Sequence, residues 1–175
     1  ADANETKEAW KYAISHKDGP VALILTRQKL NVIDQNKYAS AKGLQNGAYV
    51  VKDSKQSPDL LLIATGSEVS LSINAAEQLE AEGKSVRVIS FPSWEIFEQQ
   101  DDVYKKQIFP SEIKARVSVE MGIAMGWQKY IGDFGDSISI ETFGASAPDI
   151  ILFEKYGFTV ENVTATARRV LGEIK

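Results

Sequence analysis

Residues 59–92 read DLLLIATGSEVSLSINAAEQLEAEGKSVRVISFP, and the fold follows from them. Leu60, Leu61, Leu62, Ile63 and Ala64 form an unbroken apolar run. A strand with one wet face alternates, whereas a strand covered on both faces need not. Thr65-Gly66-Ser67 ends the run. Thr65 and Glu68 stand in capping-box register, with Ser67 as a rival N-cap. Val69, Ile73, Ala76 and Leu79 then recur at helical spacing, while Ser70, Asn74, Glu77 and Glu80 fall on the other side. Gly83 suits the helix stop, because the left-handed cap conformation costs glycine nothing. Ser85 to Phe91 reads as a second strand. Strand, helix, strand makes a right-handed crossover between parallel strands, so the chain is α/β.

The 175 residues suit one domain, or one domain plus part of another. Twenty basic residues against 24 acidic ones give a net charge of -4. That balance argues against a nucleic-acid partner, which calls for a basic patch. The longest apolar run falls far short of the ~18 residues that suggest a membrane span. The start of the chain is polar and does not read as a signal peptide. With no cysteine, disulfides, thiolate metal sites and cysteine nucleophiles are excluded. One histidine excludes multi-histidine metal sites. These features fit a cytoplasmic protein.

Outward from the central unit, Asn4 to Ser15 reads as a helix capped by Asn4 or Thr6, with Ala9, Trp10, Ala13 and Ile14 close to one face. His16 follows it, where a cation near a helix C-terminus is modestly favourable. Val21 to Thr26 is predicted as a buried strand of the same type as 60–64. Arg27 stands at its C-terminal end, the edge where open α/β sheets bind ligands. It is a candidate anion ligand, or else a surface arginine. Asn31 to Gln45 has no sustained period and reads as a linker.

Residues 47–52 form a strand. Their short connection to Asp59 leaves no room for a helical crossover, so this strand is antiparallel to its neighbour or on another edge. After Pro92 come two short helices within 95–107, then a third parallel-type strand over 115–120. Glu120 at its end reads as a cap or a salt-bridge partner before it reads as a catalyst. Residues 126–131 form a short helix in which Trp127 is a core or interface residue. Residues 137–141 make the last strand. Pro148 suits the N1 position of the next helix, Gly157 stops it, and Thr159 caps the final one. Val160, Val163, Ala167, Val170, Leu171 and Ile174 form the stripe of that last helix.

Catalytic motifs are scarce. There is no GxxxxGK[ST] loop, no GxGxxG and no supported GxSxG elbow. The TGSE turn places amides at a helix N-terminus, which can hold an anion, but Glu68 already brings a negative charge there.

Several segments nevertheless carry a family resemblance: ADANE at 1–5, LTRQKL at 25–30, PDLLLIATGSEVSLSINAAEQL at 58–79, RVISFPSWEIFEQQ at 87–100, FGASAP at 143–148 and EKYGFTVENV at 154–163. Together they resemble the C-terminal part of transketolase. The resemblance implies a three-layer α/β/α sandwich with a five-stranded, mostly parallel sheet and one antiparallel edge strand. It implies that residues 1–35 are the incomplete tail of the pyrimidine-binding domain, 36–46 a linker and 47–175 the C-terminal domain. It further implies a homodimer that moves a two-carbon ketol unit between sugar phosphates, with thiamine diphosphate and a divalent metal held by domains upstream. The family's metal-binding GDG motif does not occur, and GDFGD at 132–136 is not that motif. No catalytic, cofactor-binding or metal-binding residue carries over, and the isolated chain is expected to be inactive. One substrate residue does carry over: the arginine of the family's TRQ motif, which binds the substrate phosphate, falls on Arg27. The competing reading is a non-catalytic module that binds a regulatory ligand near Gly66, Phe91-Pro92 and Glu120, or serves assembly alone.

Overall fold

The computed structural model describes residues 1–174, apart from the side chain of Glu173. Lys175, the last residue of the expected C-terminal domain, lies outside the described residues. Five strands form one sheet: β1 (Tyr49–Lys52), β2 (Leu60–Ala64), β3 (Val86–Ser90), β4 (Arg116–Val119) and β5 (Asp136–Ile138). Their order is β1-β3-β2-β4-β5. β2 pairs in parallel with both β3 and β4, and β4 with β5, while β1 is antiparallel to β3. The five-stranded sheet with one antiparallel edge is the expected fold. All five residues of β2 are fully buried, so the strand reads as an apolar run because both its faces are covered.

The helices are α1 (Ala3–Ser15), α2 (Glu68–Ala81), α3 (Trp94–Glu98), α4 (Asp102–Ile108), α5 (Gln128–Ile131), α6 (Asp149–Lys155) and α7 (Val160–Glu173). α2 and α7 cover one face of the sheet. There Val69, Ile73, Ala76 and Leu79 meet Leu60, Leu62, Val163, Ala167 and Val170. The other face is largely aromatic. Phe91 packs edge-on against Phe97, Trp127 and Tyr130, with centroids 4.6–6.0 Å apart. Such edge-to-face pairs add to the area they bury, and they make Trp127 a core residue. The carbonyls closing α2 are met by Glu82 and Gly83, with Gly83 at φ 82°. Thr159 caps α7 through its side chain, as expected.

Four local expectations differ. Asp2, not Asn4 or Thr6, caps α1. Its carboxylate accepts from the Glu5 amide at 2.9 Å and the Ile33 amide at 2.8 Å, a charged acceptor meeting two donors at once. The capping box of α2 does not form, because the Thr65 hydroxyl bonds the Glu120 carboxylate instead and Ser67 makes no side-chain cap. Pro148 is the N-cap of α6, one position before N1. The stretch expected as a linker contains a 3-10 helix, Ala41–Asn46, that buries Ala41 and Leu44.

The largest difference lies in residues 1–35. The stretch 21–26 is not a strand. Among the described residues no strand pairs with it, and Ile24 is 96% exposed. α1 also faces the unexpected way. Its buried residues are Glu5 and Glu8, while Trp10 and Ile14 of the apolar side are exposed.

Candidate functional site

The sheet itself defines where a site would form. From β2 the chain steps to β3 on one side and then returns to β4 on the other. The carboxyl ends of β2 and β4 therefore flank a topological switch point, where α/β sheets open a crevice. β2 ends at Ala64, so Thr65, Gly66, Ser67 and Glu68 stand on one wall. β4 ends at Val119, so Glu120 stands on the other.

The crevice is acidic and closed by its own side chains. Glu120 accepts from the Thr65 hydroxyl, and Glu68 accepts from the Ser67 hydroxyl at 3.0 Å. Burial raises the pKa of Glu68 to about 7, and the nearby Glu120 carboxylate adds to the rise. Burial raises Glu120 too, against the lowering effect of the Thr65 hydroxyl bond. A carboxyl that desolvation keeps protonated near neutrality can give or take a proton there. An anion finds less. The amides of Glu68 and Val69 at the start of α2 already donate to the carbonyls of Thr65 and Gly66, and a buried carboxylate faces the same turn.

The N-terminal segment fills the rest of this edge. Glu5 of α1 accepts from the Ser90 hydroxyl at the end of β3, at 2.5 Å, and from the Tyr49 hydroxyl, at 3.1 Å. It also pairs with the Ala1 amino group. Burial, and then the Glu5 charge, push the Tyr49 phenol well above its usual range. Ala1 packs on the main core cluster. Residues 1–5 thus dock at Tyr49 and Ser90, where β1 begins and β3 ends. Neither Glu5 nor Asp2 was legible as a site residue. A buried charge on a short amphipathic helix has no periodic signal of its own.

Arg27 lies elsewhere, on the exposed stretch that follows residues 21–26. Among the described residues no hydrogen bond or ion pair holds its guanidinium. His16 stacks on Tyr12, with ring centroids 5.3 Å apart, and takes no part in the switch-point cluster. Among the described residues there is no group of three or more His, Cys, Asp or Glu placed to hold a metal ion. Among the described residues no helix is long and apolar enough to cross a membrane.

Residues 47–159 match the family model of the transketolase-like TK C-terminal domain. The chain belongs to the transketolase family. The transketolase of Aquifex aeolicus (strain VF5) is 51% identical over 163 residues, covering 93% of this chain and 24% of that protein. Among solved structures, a transketolase from Leishmania mexicana superposes with a TM-score of 0.88 at 38% identity, over 99% of this chain and 24% of that one. A transketolase from Pichia stipitis, solved with sedoheptulose-7-phosphate, superposes with a TM-score of 0.88 at 33% identity, over 98% and 24%. The chain spans about a quarter of the length of these family members.

Proposed function

We propose that this chain works as the C-terminal part of a transketolase, an enzyme that moves a two-carbon ketol unit from a ketose phosphate to an aldose phosphate. The observation that carries the reading is half identity to a transketolase over nearly the whole chain. In this reading residues 1–35 are the tail of the pyrimidine-binding domain, 36–46 the linker and 47–175 the C-terminal domain. Thiamine diphosphate and the divalent metal belong to the upstream domains, and the enzyme is a cytoplasmic homodimer. The chain alone is expected to show no ketol transfer.

Its own contribution is Arg27, which grips the phosphate of the sugar. The related Pichia stipitis enzyme was solved with a sugar phosphate, which supports that class of substrate. A guanidinium donates two parallel hydrogen bonds to phosphate oxygens, which the point charge of lysine cannot do. A hydrogen bond to a charged group is worth roughly 1.5–3 kcal/mol.

The test uses a chimera: the upstream three-quarters of the Aquifex aeolicus transketolase followed by this chain. Arg27→Ala should lower kcat/KM for phosphorylated sugars by about tenfold to a hundredfold, mostly through KM, since the phosphate lies far from the bond that breaks. Unphosphorylated donors should hardly respond, and Arg27→Lys should recover part of the loss. Equal losses on both kinds of donor would remove the phosphate assignment.

A further inference from the structure

The aromatic face of the sheet carries a cleft at the amino end of β4, on the opposite edge from the switch point. It lies between α4 and α5 and has a volume of about 250 Å³. Clefts that take drug-sized ligands start at about 300 Å³, so only a small molecule fits. Its charge is lopsided. Lys105, Lys106, Arg116 and Lys129 line it against Glu98 and Asp102. That is four cations to two carboxylates, in a chain whose net charge is -4.

Arg116, the first residue of β4, is the centre of this cluster. Its Nε donates to the Ile113 carbonyl at 2.8 Å, and its terminal nitrogens donate to the carbonyls of Tyr130 at 2.8 Å and Pro110 at 2.7 Å. A guanidinium has five N–H donors, so two are left over. Among the described residues no carboxylate pairs with it. The side chain is half-buried, and charges withdrawn from water call for a partner of opposite sign. Glu98 holds two of the lysines in place. Its carboxylate pairs with Lys129 at 2.7 Å and Lys105 at 3.5 Å, and it accepts from the Tyr130 hydroxyl at 2.8 Å. Lys105 also donates to the Glu98 carbonyl at 2.6 Å. Each ammonium carries three donors, so both keep at least one free. Lys106, beside Lys105 on α4, has no partner among the described residues. The Arg116 guanidinium lies over the half-buried Phe109 ring, 5.8 Å from its centroid. The cleft thus has an apolar wall next to its charge.

We propose that the cleft lined by Arg116, Lys106, Lys129 and Phe109 is a binding site for a small phosphate monoester. The phosphoryl oxygens take the spare guanidinium N–H groups and the ammonium groups of Lys106 and Lys129, and the ester carbons lie against Phe109. A planar guanidinium matches phosphate geometry, and lysines add point charge around it. The site is separate from Arg27 and from the switch point. It does not depend on the reading of this chain as part of a transketolase.

The test is a titration of this chain, followed by nitrogen–proton correlation NMR, with phenyl phosphate, inorganic phosphate and sodium chloride at matched ionic strength. Phenyl phosphate should give saturable shifts at Lys105, Lys106, Phe109, Arg116 and Lys129. Inorganic phosphate should shift the same amides at lower affinity, because it has no carbon to set against Phe109. Sodium chloride should not reproduce the shifts. Lys106→Gln replaces an exposed side chain and should weaken phenyl phosphate binding about fivefold, the upper end for an exposed ion pair. Lys84→Gln, exposed after α2, should leave it unchanged. Shifts that do not saturate, or that sodium chloride matches, would overturn the site. Equal affinities for the two phosphates would overturn the ester as its ligand. Equal losses in Lys106→Gln and Lys84→Gln would reduce the effect to general charge screening and overturn the proposal. Shifts confined to Arg27 and its neighbours would overturn the cleft and leave the proposed function standing.

Discussion

VALIL at 21–25 and LLLIA at 60–64 are apolar runs of equal length, yet the first is exposed, irregular chain and the second is the centre of a sheet. β2 has β3 on one side, β4 on the other and helices over both faces. Residues 21–25 have none of these. An apolar run states that a strand would be stable if paired; it does not supply the pair. The two helices that precede and follow these runs show the same contrast. α2 buries Val69, Ile73, Ala76 and Leu79, whereas α1 buries two glutamates and leaves Trp10 and Ile14 in water. Residues 21–26 and the Trp10 side of α1 therefore lack the cover that β2 and α2 have, while Asp2 and Glu5 of the same segment are buried.

Truncation should separate the two regions most sharply. Leu62→Ala removes a fully buried side chain of β2 and should cost about 2–5 kcal/mol in urea unfolding. Ile24→Ala should change stability by less than about 0.5 kcal/mol. A comparable loss at both positions would mean that residues 21–26 are packed in solution.

Gly47 joins the core to what precedes it, at φ 83°. A Cβ there would lie 2.2 Å from the Phe97 amide nitrogen and 2.5 Å from the Ser93 carbonyl oxygen, both backbone atoms. Gly47→Ala should cost about 2–3 kcal/mol, the overpacking range. At Gly83 the φ is the same but nothing stands within 4 Å. Gly83→Ala should cost only about 1 kcal/mol, from the left-handed backbone alone. Similar costs at both would show that the junction at Gly47 is not tightly packed.

The acidic switch point gives a smaller, pH-dependent effect. The folded state holds the Glu68 proton more tightly than the unfolded state, with its pKa raised from 4.5 to about 7. The stability from this group is thus fully present below pH about 4.5 and is lost as the pH rises to about 7. Glu68→Gln keeps the shape without the charge. It should flatten this part of the pH profile and gain on the order of 1–2 kcal/mol at pH 8. An unchanged slope would mean that Glu68 ionises as it does in the unfolded chain.

The sheet, its antiparallel edge and the Thr159 cap were legible because each rests on local residues: apolar runs, a short connection, a capping side chain. The Glu120–Thr65 pair was not, since it joins residues 55 positions apart. That pair is also why the expected capping box is missing. The direction of α1 was misleading for the opposite reason. Its Trp10 and Ile14 side stays exposed, and its acidic side meets Ser90 and Tyr49. Arg27 was singled out by its motif and its place after an apolar run. The structure leaves its side chain exposed.

Amide hydrogen exchange on residues 21–26, in the chain alone and in the chimera with the upstream Aquifex aeolicus portion, tests this division most directly. In the chain alone these amides should exchange close to the unprotected rate while those of Leu60–Ala64 approach the global unfolding limit. In the chimera residues 21–26 should slow at least ~100-fold as they pair into a sheet. Protection of 21–26 in the chain alone, or its absence in the chimera, would contradict the account.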